Sequence, residues 1–175
     1  MKALRWMMVL LPALFFLGST SCKHIQYGFK VGETTLPDSA TIMVYQFTNS
    51  APLAKATLAQ TMTESLKDFI QRQTKYALVT EDPDVTFEGE IVGYSVSPVA
   101  IVAGTTDQAA LNRLTINVKV KYTNKFDERT NFEANFSRFS DFPSTQDISA
   151  VEDQLIKEIT DQITQDIINK SIYAW

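Results

Sequence analysis

Apolar residues recur along this chain with two different periods, and the places where the period changes mark out its elements. Thr41–Phe47 is β-branched and aromatic, the composition of a strand. From Ala54 to Gln73 the apolar positions Leu58, Met62, Leu66, Phe69 and Ile70 fall three and four apart, with Lys55, Glu64, Lys67 and Asp68 elsewhere. That spacing predicts an amphipathic helix of about five turns. A short strand near Tyr76–Thr80 leads to an Asp82-Pro83-Asp84 turn, after which the period drops to two. Val85, Phe87, Gly89, Ile91 and Gly93 alternate with Thr86, Glu88, Glu90, Val92 and Tyr94. Leu114, Ile116, Val118, Val120 and Tyr122 alternate as strictly with Thr115, Asn117, Lys119 and Lys121, and Phe132, Ala134 and Phe136 share one face of a strand over Asn131–Phe139. Such alternation belongs to a sheet with one buried and one wet face. The last two strands, joined through Asn124–Thr130, are expected to pair antiparallel. A second helix spans about Ser149–Ile172, with Val151, Leu155, Ile159, Ile163 and Ile167 at intervals of four and Ile156 and Ile168 beside them. Ser149 and Glu152 have the spacing of a capping box at its start. Two one-faced helices and one half-buried, mostly antiparallel sheet bury their apolar surface most simply when both helices lie on the same sheet face. The expected fold is therefore an α+β two-layer sandwich over residues 39–175.

The first residues follow a different order. Lys2 and Arg5 precede an apolar run from Trp6 to Leu17, then the small residues Gly18-Ser19-Thr20-Ser21, then Cys22. An apolar core of about a dozen residues is too short to cross a bilayer, which needs about twenty, and the arrangement is that of a secretory signal. Small residues directly before a cysteine resemble the signal of a bacterial lipoprotein, with Ser19 where leucine is commoner. On this reading residues 1–21 are removed, Cys22 is lipidated, and residues 22–38, broken by Gly28, Gly32 and Pro37, form a tether with a short edge strand possible around Tyr27–Val31. Cys22 is the one cysteine of the chain, and the alternative is a free, buried thiol. At ~0.8 kcal/mol per buried methylene, two or three acyl chains hold a protein on a membrane stably.

Removal of Lys2 and Arg5 with the signal leaves 14 of the 16 basic side chains against 20 acidic ones, a formal charge of −6. An acidic domain is a poor candidate for nucleic-acid binding. About 150 residues suffice for one domain with a real core. Little in the sequence suggests catalysis. His24, the one histidine, stands two places from Cys22 on the tether, and neither a Gly-x-Ser-x-Gly elbow, a phosphate loop nor a His/Cys cluster with zinc spacing is present. Glu88 and Glu90 share a strand face, but that face is the wet one. The chain is expected not to be an enzyme and to need no cofactor or metal.

Two groups of residues are candidates for binding. Arg113, Lys119 and Lys121 fall on or beside the wet face of one strand, with Lys125, Arg129 and Arg138 nearby in sequence. Local positive charge on an acidic protein suits an anionic partner such as lipid phosphates, whereas the plain reading is a sheet face kept soluble or an edge kept blunt. Ser97–Asn112 reads as a loop of about sixteen residues holding the apolar run Val99-Ala100-Ile101-Val102-Ala103, long for a compact domain. Val99, Ile101 and Val102 are the candidate contact with a protein partner; a strand extension packed on the domain itself is the alternative.

Several stretches together resemble one family. They are Ala51-Pro52-Leu53, Phe87-Glu88-Gly89-Glu90-Ile91 running into Gly93-Tyr94-Ser95-Val96-Ser97-Pro98, Leu111-Asn112-Arg113-Leu114-Thr115-Ile116-Asn117-Val118-Lys119-Val120, Val151-Glu152-Asp153, and the final Trp175. In this order, behind a lipoprotein signal, they are similar to the LptE family in its Bacteroidota branch. The resemblance implies an outer-membrane lipoprotein that works with the LptD β-barrel to place lipopolysaccharide in the outer leaflet, its small α+β domain occupying the barrel lumen as a plug. A domain of this size fits only a very large barrel. No lipopolysaccharide-contacting residue of the family transfers to a position here. The segment Lys23-His24-Ile25-Gln26 lacks an acidic run, which in this group suits retention on the periplasmic face of the outer membrane. The competing reading is a periplasmic assembly or pilot lipoprotein for another outer-membrane pore, which would share anchor and fold.

Overall fold

The computed structural model describes residues 36–99 and 110–173. Along them run strands β1 (Thr41–Val44) and β2 (Thr48–Asn49), helix α1 (Leu58–Gln73), strands β3 (Ala77–Leu78), β4 (Val85–Pro98) and β5 (Leu111–Asn124), a 3-10 turn at Glu128–Thr130, strand β6 (Phe132–Pro143) and helix α2 (Ile148–Ser171). The signal, Cys22, the Tyr27–Val31 segment, Ile101, Val102 and Trp175 lie outside the described residues.

The sheet order is β3-β1-β4-β5-β6, with β2 also on β4. Antiparallel ladders join β4 to β5 and β5 to β6 over nearly their whole lengths, while β1 and β2 pair with β4, and β3 with β1, in short parallel stretches. The sheet is thus mixed but antiparallel over most of its length, and the α+β two-layer architecture is the expected one. The parallel part arises because α1 is a crossover: a strand that returns parallel to its neighbour needs a helix to bring the chain back. Asp84 closes the base of this unit. Its carboxylate accepts from Thr41 N–H at 2.9 Å and Thr41 Oγ1 at 2.8 Å, and both bonds hold its pKa below the ordinary value.

Both helices lie on one sheet face and run in the same direction, since Lys55 pairs with Asp153 and Ser65 with Asp161. Leu58, Met62, Leu66 and Ile70 of α1 meet Ile159, Ile163 and Ile167 of α2 over Val85, Phe87 and Ile91 of β4 and Leu114, Ile116, Val118, Val120 and Tyr122 of β5, all buried. At one end of this core Tyr122 lies between Phe87 and Phe132, with ring centroids 5.1 and 5.3 Å away. Gly89 is a glycine because Phe47 crosses directly above it: a Cβ there would stand 2.3 Å from the ring. Phe47 is held in turn by its N–H, which donates to the buried Thr63 Oγ1 at 3.0 Å.

The structure departs from the periodicity in four places. A bulge between Ile91 and Gly93 shifts the β4–β5 register, so Tyr94 pairs with Ile116 on the helix-covered face while Gly93 turns to the outer face against Asn117. Helix α1 begins at Leu58, with Ala56 and Thr57 in a turn before it. The cap of α2 is Asp147, which accepts from Ser149 N–H at 2.9 Å, and the supposed capping-box partner Glu152 instead accepts from Tyr94 Oη at 2.5 Å. Finally, β4 reaches Pro98 and β5 starts at Leu111, so two residues at each end of the expected Ser97–Asn112 loop are strand, and β6 continues to Pro143.

Candidate functional site

The sheet face away from the helices carries the predicted cations, and the pleat explains their placing. Arg113, Lys119 and Lys121 alternate with the buried residues of β5 and therefore all project outward. Across the ladders Lys121 lies opposite Glu88 and Glu133, and Lys119 opposite Glu90 and Asn135. Lys121 Nζ meets Glu88 Oε1 at 3.1 Å, and Lys119 bonds to Glu133. The Lys119–Glu133 hydrogen bond raises the lysine pKa and lowers that of the carboxylate. With Tyr45, Gln46 and Thr48 from the neighbouring edge these side chains line an open depression of about 360 Å³.

Arg113 stands apart, near the far end of the face. Its guanidinium makes a two-pronged contact to Asp141, at 2.7 and 2.9 Å, and stacks 3.6 Å from the centroid of the Phe139 ring. The hydrogen bond to Arg113 lowers the Asp141 pKa and raises that of the arginine. Thus Arg113, Lys119 and Lys121 share one face but do not converge on one point, and each already has a carboxylate partner. An anion arriving here competes with Glu88, Glu133 and Asp141 and meets Glu90 as well. The other nearby cations are also paired: Lys125 with Asp82, Arg129 with Asp127, and Arg138, on the helix side, with Asp166 at 2.6 Å. Periodicity placed Arg113, Lys119 and Lys121 on the outer face; their partners across the strands depend on a register that no local pattern shows.

Of the apolar candidates, Val99 continues the β4–β5 hairpin, its N–H donating to the Leu111 carbonyl at 2.8 Å. A second concavity of about 550 Å³ lies between the helices, lined by polar residues including Glu64, Asp68, Arg72, Lys157 and Asp161 around the half-buried Phe69. Among the described residues, no group of His, Cys, Asp or Glu side chains is arranged to hold a metal ion, and no helix is long and apolar enough to cross a membrane.

What these residues define is an α+β domain whose outer sheet face is ion-paired and whose sheet ends in β3 on one side and β6 on the other. Residues 40–171 match the family model described as LptE, lipopolysaccharide-assembly, and the chain belongs to that family. Among solved structures it is similar to a minor lipoprotein from Acinetobacter baumannii, with 9% identity, 75% of this chain and 91% of that one covered, and a TM-score of 0.49. It is also similar to lipoprotein B from Nitrosomonas europaea, with 16% identity, coverage of 76% and 81%, and a TM-score of 0.44. A third is the rare lipoprotein B from Shewanella oneidensis, with 12% identity, coverage of 73% and 91%, and a TM-score of 0.41. No curated protein matches the chain at a significant level.

Proposed function

We propose that this protein is an outer-membrane lipoprotein that partners an LptD-type β-barrel and, with it, inserts lipopolysaccharide into the outer leaflet. The observation that carries the reading is the family match over residues 40–171, which spans every strand and both helices among the described residues. Residues 1–21 are the signal, Cys22 carries the lipid, and the segment after it tethers the domain to the periplasmic face of the membrane. The protein contributes binding and assembly, with no chemistry of its own. Val99, Ile101 and Val102 contact the barrel.

Direct contact with lipopolysaccharide through Arg113, Lys119 and Lys121 is the finer part of the proposal. Phosphates compete there for cations that are already neutralised, so the contact depends on a phosphate cluster replacing several carboxylates together. The test of the whole reading is recovery of the lipidated protein from detergent-solubilised outer membranes and identification of what survives a high-salt wash. An LptD-type barrel in stoichiometric amount is the expected result; recovery of a different pore would make the protein an assembly or pilot lipoprotein of another kind.

A further inference from the structure

We infer that the upper outer edge of β4, Val92–Pro98, is a strand-addition site filled by an extended, uncharged segment of the barrel partner; this rests on the partnership proposed above. The lower half of that edge is already occupied. β1 pairs along Val85–Phe87 and β2 along Glu90–Ile91, and the chain then leaves the sheet after Ser50, whose N–H donates to the Ile91 carbonyl. Above Ile91, no described residue pairs with β4 on this side.

The hydrogen-bond phase shows which groups are offered. Val99 and Leu111 form a bonded pair, since Val99 N–H donates to the Leu111 carbonyl. Bonded and non-bonded pairs alternate in an antiparallel ladder, so Ser97 and Ser95 direct their N–H and C=O groups to β5. Those of Tyr94 and Val96 point outward, as does the Pro98 carbonyl. The bulge at Ile91/Gly93 produces this phase: below it the Phe87 and Ile91 carbonyls face outward to Tyr45 and Ser50.

Exposed edges are normally blunted by charge, proline or covering elements. The outer edge strand β6 follows that rule, with Glu133, Arg138, Asp141 and Pro143 along it. Val92–Pro98 reads Val-Gly-Tyr-Ser-Val-Ser-Pro, without a charged side chain, and Val92 and Val96 are more than 40% exposed. An uncharged edge selects an uncharged strand. Its length argues against a second copy of this chain: seven residues present about 23 Å of edge, and two such strips face to face bury well under the roughly 1,200 Å² of a stable interface. The occupant is held by other contacts too, as a segment of a barrel surrounding the domain would be.

The phase also supplies a clean test. Val96→Pro removes an outward N–H and no β4–β5 bond, on an edge where proline is tolerated, as Pro98 already is two places along. Val96→Thr keeps that N–H. Full-length lipidated proteins carrying each change are recovered from solubilised outer membranes, and their thermal unfolding is compared with the wild type. The expected result is unchanged unfolding for both, barrel recovery lowered about tenfold or more by Val96→Pro, and full recovery with Val96→Thr. Equal recovery with Val96→Pro overturns the strand addition and leaves the partnership standing. An equal loss with Val96→Thr overturns it as well, by assigning the contact to the side chain. If the wild type itself recovers no barrel, the partnership fails and this inference with it. An isolated chain found as a dimer, with Tyr94 and Val96 amides protected from exchange, would give the edge to a second copy and overturn the assignment.

Discussion

Gly89→Ala tests whether the contact between Phe47 and the sheet governs the packing of the β1–β4 half of the core. The new Cβ would lie 2.3 Å from the Phe47 ring, whereas carbon atoms in ordinary contact stand ~3.5–4.0 Å apart. The ring must therefore retreat by more than ~1 Å. It has little room to do so, being 2% exposed and tied through its own N–H to Thr63 on α1. Overpacking of this kind costs about 1–3 kcal/mol. Replacing glycine in a strand by alanine returns about 0.5–1 kcal/mol of chain entropy. The net expectation is a loss of about 1–2 kcal/mol, or roughly 3–8 °C in Tm for a domain of this size. Urea and thermal unfolding of the mature domain measure it. Combining the change with Phe47→Leu, which is destabilising by itself, isolates the cause: once the ring is gone the alanine costs less, and the two effects fall short of additivity by about 1 kcal/mol. A Gly89→Ala domain as stable as the wild type, or strict additivity with Phe47→Leu, would refute the reasoning.

Three further outcomes follow from other contacts. Tyr122 Oη is buried with no hydrogen-bond partner among the described residues, so Tyr122→Phe keeps the stacking on Phe87 and Phe132 and removes an orphan hydroxyl. It should raise stability by about 1 kcal/mol in denaturant unfolding, and a loss instead would mean that the phenol has a partner. Asp84 has a folded pKa below its ordinary value of 3.8 because Thr41 donates to it twice. Its contribution is thus fully present above about pH 4 and is lost as pH falls through the lower folded value. Asp84→Ala should cost about 1 kcal/mol at pH 7, discounted for partial exposure, and the gap to the wild type should close in melts below pH 4; a gap that widens there would contradict the assignment. Charge reversal of Lys119 and Lys121 together should weaken lipopolysaccharide binding by the purified domain, and unchanged affinity would remove this face from any contact with the lipid.

Much of the architecture could be read from the chain alone because its elements are long and their apolar residues keep a strict period. The four-residue spacing in α2 and the alternation of Leu114 to Tyr122 each allow one orientation that buries the apolar face, and two helices against one sheet leave little choice of layering. The expected lipoprotein signal is an equally local pattern, an ordered series of adjacent residues, and it lies outside the described residues. By contrast, Tyr94 could not be assigned to its face from the pattern, since a bulge adds one residue and inverts the alternation while leaving the composition of β4 unchanged. The helix is capped by Asp147, two places before Ser149, and Glu152 accepts instead from Tyr94, a partner 58 residues away in sequence. The same limit applies to the binding surfaces. Alternation placed Arg113, Lys119 and Lys121 outward, but only strand register brings Asp141, Glu133 and Glu88 against them and turns a row of cations into an ion-paired face. Likewise, the uncharged stretch Val92–Pro98 is visible in the sequence, whereas its standing as an open edge among the described residues follows from where β2 stops. Local periodicity determines which face of an element is buried; register and strand order, set by contacts between distant residues, determine which charges are neutralised and which backbone groups remain to be paired.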